Sequence, residues 1–272
     1  MTKVIVLCGG SQRRWENYLG TEKHFVQFNG KELIENTLQI LKSFDVDVTI
    51  ITREDNKLLY EKFNYNIFSV SVEQSNLEYF KVKSNFELWN KNGRTILLWG
   101  DVLFTVAAMK RIINKKGNDI IFFGRQTKSF FTKCDHGEFF GISFLPIHHA
   151  TMKNATNRLQ YFTDEMKIKI AGGWGMYDII SGLEYLFDTG TVIRGKALYS
   201  NFIQIIDYTD DIDYPKDYEN YVRLFANRTL ISDFINTLIS KFYYFFKSFG
   251  NIIYEIKTIK LRNSCLNKSN IK

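Results

Sequence analysis

Proline is nearly missing from this 272-residue chain, with two in all, and cysteine is scarce, with three. Cys8, Cys134 and Cys265 lack the paired spacing of a metal-binding cysteine set, and their odd number argues against a disulfide framework. No apolar stretch approaches the roughly 18 residues of a spanning helix. The opening MTKVIVLCGG has neither the apolar region nor the small-residue cleavage site of a secretory signal. Together these absences predict a cytoplasmic, reduced protein. A basic face on the body of the chain is missing too. The net charge is +7, but Lys241, Lys247, Lys257, Lys260, Arg262, Lys268 and Lys272 stand against Glu255 alone in the last stretch. What precedes them is close to neutral, which disfavours a nucleic-acid partner.

What is present is 45% hydrophobic and rich in Phe and Tyr, enough for one sizeable core with an appendage. Val4–Leu7 and Val46–Thr52 read as buried strands. Between them Leu33, Ile34, Thr37, Leu38, Leu41 and Phe44 recur at helical spacing, so the first fifty or so residues predict a βαβ unit with parallel pairing. The alternation continues with a strand at Ile67–Val72, a helix around Tyr79–Asn90, a strand at Thr95–Trp99, a helix around Val106–Asn114 and a strand at Asp119–Phe123. The expected fold class is α/β, a mostly parallel mixed sheet with helices on both faces. Further along, Glu138–Leu145 reads as a strand in mixed pairing, GGWGMYDIISGLEYLF as a glycine turn and a helix, NFIQIID as a strand, and the stretch from Pro215 as a helix. Residues 1–226 form the predicted domain. Residues 227–272 form an amphipathic, basic helical tail, in which Phe234, Leu238, Phe242, Phe245 and Phe249 recur at three- and four-residue steps. Such a tail suits docking on the domain, a homodimer mate or peripheral contact with an anionic membrane surface.

In open α/β sheets, ligands lie outside the carboxyl ends of the strands. Three features fall there. The loop Leu7, Cys8, Gly9, Gly10 and Ser11 ends the first strand in glycines, whose backbone N–H groups can approach phosphate oxygens, with Arg14 and Lys23 following. A plain strand–turn–helix is the alternative. In TILLWGDVLFT, Gly100–Asp101 closes another strand. Asp101 is placed either to bind Mg²⁺ through hard oxygens or to cap the helix before Val106. In DDIDYPKDYENY, Asp210, Asp211 and Asp213 cluster after a strand, suiting a second metal carboxylate, a cap or spare surface acids.

Taken in order, VIVLCGGSQRRW, TEKHFVQFNGKELIENTLQIL, WGDVLFT and DIDYPKDYENY resemble the GT-A type nucleotidyltransferases that activate sugar phosphates and alcohol phosphates, with a cytidylyltransferase-like cast. The resemblance covers about residues 1–225. It implies a Rossmann-like GT-A fold, with Arg14 and Lys23 as the signature cations and Asp101 and Asp213 as the Mg²⁺ ligands. The implied reaction joins a nucleoside triphosphate to a small phosphorylated acceptor, releasing pyrophosphate, in the service of a surface polysaccharide. The loop departs from the pattern, with Gln12 and Arg13 where a second glycine is usual and Glu22 where Pro usually precedes the Lys. Isoprenoid-type cytidylyltransferases carry Arg-x-x-Ser-Val at the third helix, and KVKSNFELW places Ser84 similarly, without the Arg and Val. Ser84 or Gln74 is therefore the expected reader of the base, with CTP favoured. The acceptor is expected over the second half, near Arg125, Lys128, Lys133, Trp174 and Asp178. His148 and His149, adjacent and expected in extended chain, point opposite ways and read as packing or surface residues. Two other readings stay open: a glycosyltransferase of related fold, for which the Asp-x-Asp pair sits late, and a non-catalytic nucleotide-binding partner.

Overall fold

The structure, a computed structural model, describes residues 1–10, 12–74, 77, 79–126, 128–129, 131–132, 134–168, 172–182 and 201–226, with Leu238 and Phe242 beyond them. The chain divides into two compact units, Met1–Ala226 and Asn227–Lys272. The first contains strands β1 (Thr2–Leu7), β2 (Gln27–Phe28), β3 (Lys31–Glu32), β4 (Val46–Arg53), β5 (Asn66–Val70), β6 (Thr95–Trp99), β7 (Val102–Leu103), β8 (Ile121–Arg125), β9 (Glu138–Phe144), β10 (Phe202–Gln204) and β11 (Asp210–Asp211). Its helices are α1 (Leu33–Leu41), α2 (Lys57–Glu61), α3 (Phe80–Lys83), α4 (Val106–Asn114), α5 (His149–Asp164), α6 (Gly172–Ile180) and α7 (Pro215–Ala226).

Seven strands form one sheet in the order β10-β8-β9-β6-β1-β4-β5. All pair in parallel except β9, which runs antiparallel to both β6 and β8. The period of two along β1 explains the layers: Val4 and Val6 enter one apolar cluster, Ile5 and Leu7 the other. The first cluster is roofed by Ile34, Leu38 and Leu41 of α1 with Ala108, Met109 and Ile112 of α4. The second is roofed by Met152 and Leu159 of α5 with Trp174 and Met176 of α6. Each fully buried aliphatic side chain contributes about 1.5–3 kcal/mol through removal from water. Helix ends are set locally. Thr105 accepts from the Ala108 N–H at 3.0 Å and caps α4, and Glu35 accepts from the Glu32 N–H at 3.3 Å at the start of α1.

Several expectations from the sequence are corrected. The helix expected at Tyr79–Asn90 is the short α3 and a 3-10 turn at Phe86–Leu88. Asn85 ends it by donating to the Lys81 carbonyl at 2.7 Å and accepting from Trp89 Nε1, a side-chain competition with the helix ladder. Glycines 172 and 173 do not form a turn but open α6, because a Cβ on Gly173 would meet the Phe139 ring at 2.5 Å. His148 ends a 3-10 turn and His149 begins α5, so neither is in extended chain. His148 Nδ1 accepts from the Leu145 N–H at 3.2 Å, and His149 packs on Trp89 and Phe144. In the second unit Leu238 and Phe242 are helical and exposed. The rest of the expected amphipathic tail lies outside the described residues, as does Lys133. Among the described residues no helix is long and apolar enough to cross a membrane.

Candidate active site

The parallel strands β1 and β6 end side by side, with Leu7 opposite Trp99. Gly100 permits this approach: a Cβ there would overlap Cys8 Sγ and lie 2.9 Å from the Leu7 carbonyl oxygen, while its own N–H donates to that carbonyl at 3.0 Å. Immediately beyond, β7 pairs antiparallel with β11, and the Ile212 N–H donates to the Asp101 carbonyl at 2.9 Å. This two-residue ribbon brings Asp101 and Asp213 together across more than a hundred residues of chain. Neither is a helix cap. Thr105 caps α4, and Asp217 accepts from the N–H groups of Asp213 and Tyr214 at 3.1 and 2.8 Å.

Lys23 bridges the two carboxylates, its Nζ 2.8 Å from Asp101 Oδ2 and 3.0 Å from Asp213 Oδ1. Burial disfavours the ammonium, but the two carboxylates outweigh it and push its pKa above the usual lysine range. Burial alone would raise the Asp101 carboxyl, yet Lys23 holds it down to about 2. Arg14 donates to the other Asp213 oxygen, its guanidinium 5.5 Å from the centre of the Tyr214 ring. Next to Lys23, burial pushes His24 down to about 3, so the imidazole is neutral. Its Nδ1 lies 2.9 Å from the Tyr60 hydroxyl and 3.2 Å from the Gln12 amide nitrogen.

Gln12 stands where a second loop glycine is usual, and its backbone is left-handed, with φ 53°. Its Oε1 accepts from the Lys23 N–H at 2.7 Å. The departure thus keeps the glycine-like turn at a cost of about 1–2 kcal/mol. The side chain fastens the loop to the Lys23 turn.

These groups line a cleft of about 540 Å³ together with Leu7, Gly10, Lys81, Trp99, Phe139 and Trp174. Asp211 and Glu138 line it too. Burial first, then the surrounding carboxylates, push Asp211 well above the usual carboxylate range, and burial pushes Glu138 up to about 7. Asp101 and Asp213, with Lys23 already between them, are the hard-oxygen donors that fit a divalent cation such as Mg²⁺.

Of the residues singled out from the sequence, Leu7, Gly10, Arg14, Lys23, Asp101, Asp213 and Trp174 meet at this cleft. Others do not. The Cys8 side chain is in the core and its N–H donates to the Ile51 carbonyl at 2.7 Å, so strand pairing takes the donor expected to face phosphate. Gly100 serves the packing described above. Gly9 and Ser84 border a small side cavity beneath the loop, and the buried Ser84 hydroxyl has no hydrogen-bond partner there. Gln74 is exposed and Asp178 half-buried, both away from the cleft lining. Ser11 lies outside the described residues. Arg125 is 2% exposed and pairs with buried Asp210, which also accepts from Thr132, so its guanidinium is spent in the interior. Lys128 is exposed. Lys81, missed from the sequence, reaches over the loop, with its Cε 3.7 Å from where a Cβ of Gly10 would sit. The signal existed: Lys81 stands three residues before Ser84, where the cytidylyltransferase pattern has Arg.

No protein-family model matches the sequence, and no curated protein matches it. Solved structures do. The inositol-1-phosphate CTP transferase of T. maritima is 16% identical, with 84% of this chain and 98% of that one covered at a TM-score of 0.50. The CTP:phosphocholine cytidylyltransferase of Streptococcus pneumoniae is 17% identical, with 82% and 99% covered at 0.50. A protein from Mycobacterium sp. strain JC1, homologous to one of Mycobacterium tuberculosis, is 16% identical, with 84% and 98% covered at 0.53. The seven-stranded mixed sheet, with one antiparallel strand set among parallel ones, has a sugar-phosphate nucleotidylyltransferase-like fold.

Proposed function

We propose that the chain is a Mg²⁺-dependent nucleotidyltransferase, using CTP by preference, that joins the nucleotide to a small phosphorylated acceptor for surface polysaccharide assembly. The observation that carries this reading is the Lys23 ammonium held between Asp101 and Asp213 at the strand edge, below an open cleft. Gly9, Gly10, Arg14 and Lys81 are placed to receive a triphosphate, with backbone donors and cations where its charge concentrates. Asp101 and Asp213 would hold the Mg²⁺, which supplies Lewis-acid neutralisation of the phosphate oxygens. An acceptor phosphate oxygen bonds to the α-phosphorus as the bond to pyrophosphate breaks. Lys23 faces the charge that develops, and no general base is needed because a phosphate oxyanion is already nucleophilic. Preference for CTP rests on the cytidylyltransferases among the similar structures and on the unpartnered Ser84 hydroxyl beside the loop.

The cleft lining also presents Trp99, Phe139 and Trp174, with Phe139 edge-on to both tryptophans. Aromatic faces suit a cationic alkylammonium head, which ranks phosphocholine-like acceptors above the phosphates of uncharged sugars. The test is pyrophosphate release with each of the four ribonucleoside triphosphates and Mg²⁺, across phosphocholine, phosphoethanolamine, inositol phosphate and sugar 1-phosphates, with Asp101→Ala as control. Release is expected with CTP, dependent on acceptor and absent in the variant. Silence across the panel, with no nucleotide binding by calorimetry, overturns the reading.

A further inference from the structure

A second cluster of ligand-type side chains, two of which line the cleft, takes no part in the chemistry above. In CDHGE, Cys134, His136 and Glu138 occupy alternate positions leading into β9, with a bend at His136. One ligand atom from each lies within 4.8 Å of the others, the single such trio of His, Cys, Asp and Glu among the described residues. We propose that Cys134, His136 and Glu138 form a binding site for one divalent transition ion of borderline softness, zinc above all, distinct from the Mg²⁺ position at Asp101 and Asp213.

The two sulfur edges lie just above those of a small tetrahedral ion. Cys134 Sγ lies 3.9 Å from His136 Nε2 and 3.9 Å from Glu138 Oε1. With metal–sulfur bonds of about 2.3 Å and metal–nitrogen or –oxygen bonds of about 2.0–2.2 Å, tetrahedral geometry requires edges of roughly 3.3–3.8 Å. The Nε2–Oε1 edge is 2.5 Å, and an ion seated between the two atoms opens it by about 1 Å.

Two further features mark the trio as prepared for a ligand. Asp135 Oδ1 lies 2.6 Å from His136 Nδ1, on the far side of the ring from Glu138. A carboxylate on one imidazole nitrogen fixes the tautomer and leaves the other nitrogen for metal, the recurrent outer-shell arrangement of metal-bound histidine. The backbone is also held in place without an ion. Arg125 donates to the His136 carbonyl at 3.2 Å, and the Ser129 N–H donates to the Cys134 carbonyl at 2.7 Å. The ligands therefore sit on a hairpin anchored by the buried Arg125–Asp210 pair.

Sulfur, imidazole nitrogen and one carboxylate select zinc-like ions over Mg²⁺, which takes oxygen donors almost exclusively. The fourth position opens on a cavity of about 150 Å³ shared with Asp211 and Tyr214, with room for a water or for an oxygen of a bound small molecule. A bound ion would fasten the connection between β8 and β9 along the acceptor wall.

The test uses the full-length protein, stripped with a chelator and titrated with Co²⁺ as a spectroscopic stand-in for zinc. A thiolate-to-cobalt charge-transfer band in the near ultraviolet is expected, saturating at one equivalent, surviving excess Mg²⁺ and bleached by zinc. Cys134→Ser removes the band while Cys265→Ser keeps it. His136→Asn weakens cobalt binding by more than about a hundredfold, above the range seen for outer-shell losses. Far-ultraviolet circular dichroism checks that each variant is folded. Absence of the band in the unmodified protein, its persistence in Cys134→Ser or its loss in Cys265→Ser overturns the proposal.

Discussion

Replacing Lys23 by methionine keeps most of the side chain's length and removes its charge. In the native protein Lys23 is 6% exposed and its ammonium contacts Asp101 and Asp213 at 2.8 and 3.0 Å. Removing one partner from a buried ion pair costs about 3–5 kcal/mol, because the charge left behind stays desolvated. The pH dependence identifies that charge. Asp101 has its folded pKa depressed from 3.8 to about 2. Its ionised form therefore stabilises the fold above pH 3.8, and the contribution, about 2 kcal/mol, is lost as pH falls towards 2. Without Lys23, burial dominates this carboxyl and raises its pKa above 3.8, so the sign reverses and protonation favours the folded state. Urea denaturation of both proteins at pH 7 and about pH 4 reads the difference. The variant should be about 3–5 kcal/mol less stable at pH 7, with the deficit narrowing at the lower pH. Mg²⁺ added at pH 7, with no nucleotide present, should narrow it as well, since a hard cation takes the place of the ammonium between the carboxylates. Equal stability at pH 7, or a deficit that does not shrink on acidification, would refute the reasoning.

Three other outcomes follow from the same geometry. Arg125→Met should lower stability by about 3–5 kcal/mol and leave the acceptor KM unchanged, since the guanidinium is paired with Asp210 in the interior; a raised KM at unchanged stability would return Arg125 to the acceptor. Lys81→Ala should raise the triphosphate KM about tenfold or more, and Lys81→Arg should restore it; steady-state kinetics that do not distinguish the three proteins would remove Lys81 from the nucleotide site. His24, ordinarily near 6.5, is held neutral down to about 3, so the unfolded chain takes up a proton that the folded one refuses and stability falls as pH drops between those values. His24→Gln should flatten that slope in thermal unfolding, and an unchanged slope would contradict the assignment.

Much of the sheet was legible in the sequence because strands buried on both faces are written as unbroken apolar runs. VIVL and TILLW lie within strands bounded at Thr2–Leu7 and Thr95–Trp99. Helix α4 matched at both ends because Thr105 caps it and its apolar positions are well spaced. Helix α5 escaped notice: its buried face is Met152, Ala155, Thr156 and Leu159, and small or hydroxylated residues dilute the periodic signal. Strand β8 runs two residues past the expected end because Arg125, read from the sequence as an acceptor-binding cation, is neutralised by an aspartate distant in sequence. The same kind of long-range pairing hid the site's assembly. Asp101 and Asp213 each stood out locally, but the β7–β11 ribbon and the Lys23 bridge that unite them depend on contacts no local pattern encodes. The cysteines were read against one another, so the alternation of Cys134 with His136 and Glu138 passed unremarked.

The reversed direction of β9 has an evolutionary consequence. In a wholly parallel sheet every loop at the ligand edge leaves the end of a strand and climbs into a helix, so altering it disturbs a crossover. Here Arg125 pairs with Glu138, and the connection at 126–137 joins two neighbouring antiparallel strands at that same edge. It can change in length or sequence without moving a helix, provided Thr132, which donates to Asp210 of β11, is kept. For the transferase proposed above, exchanging that single connection is the economical way to alter the cleft wall at His136 and Gly137 without rebuilding a crossover.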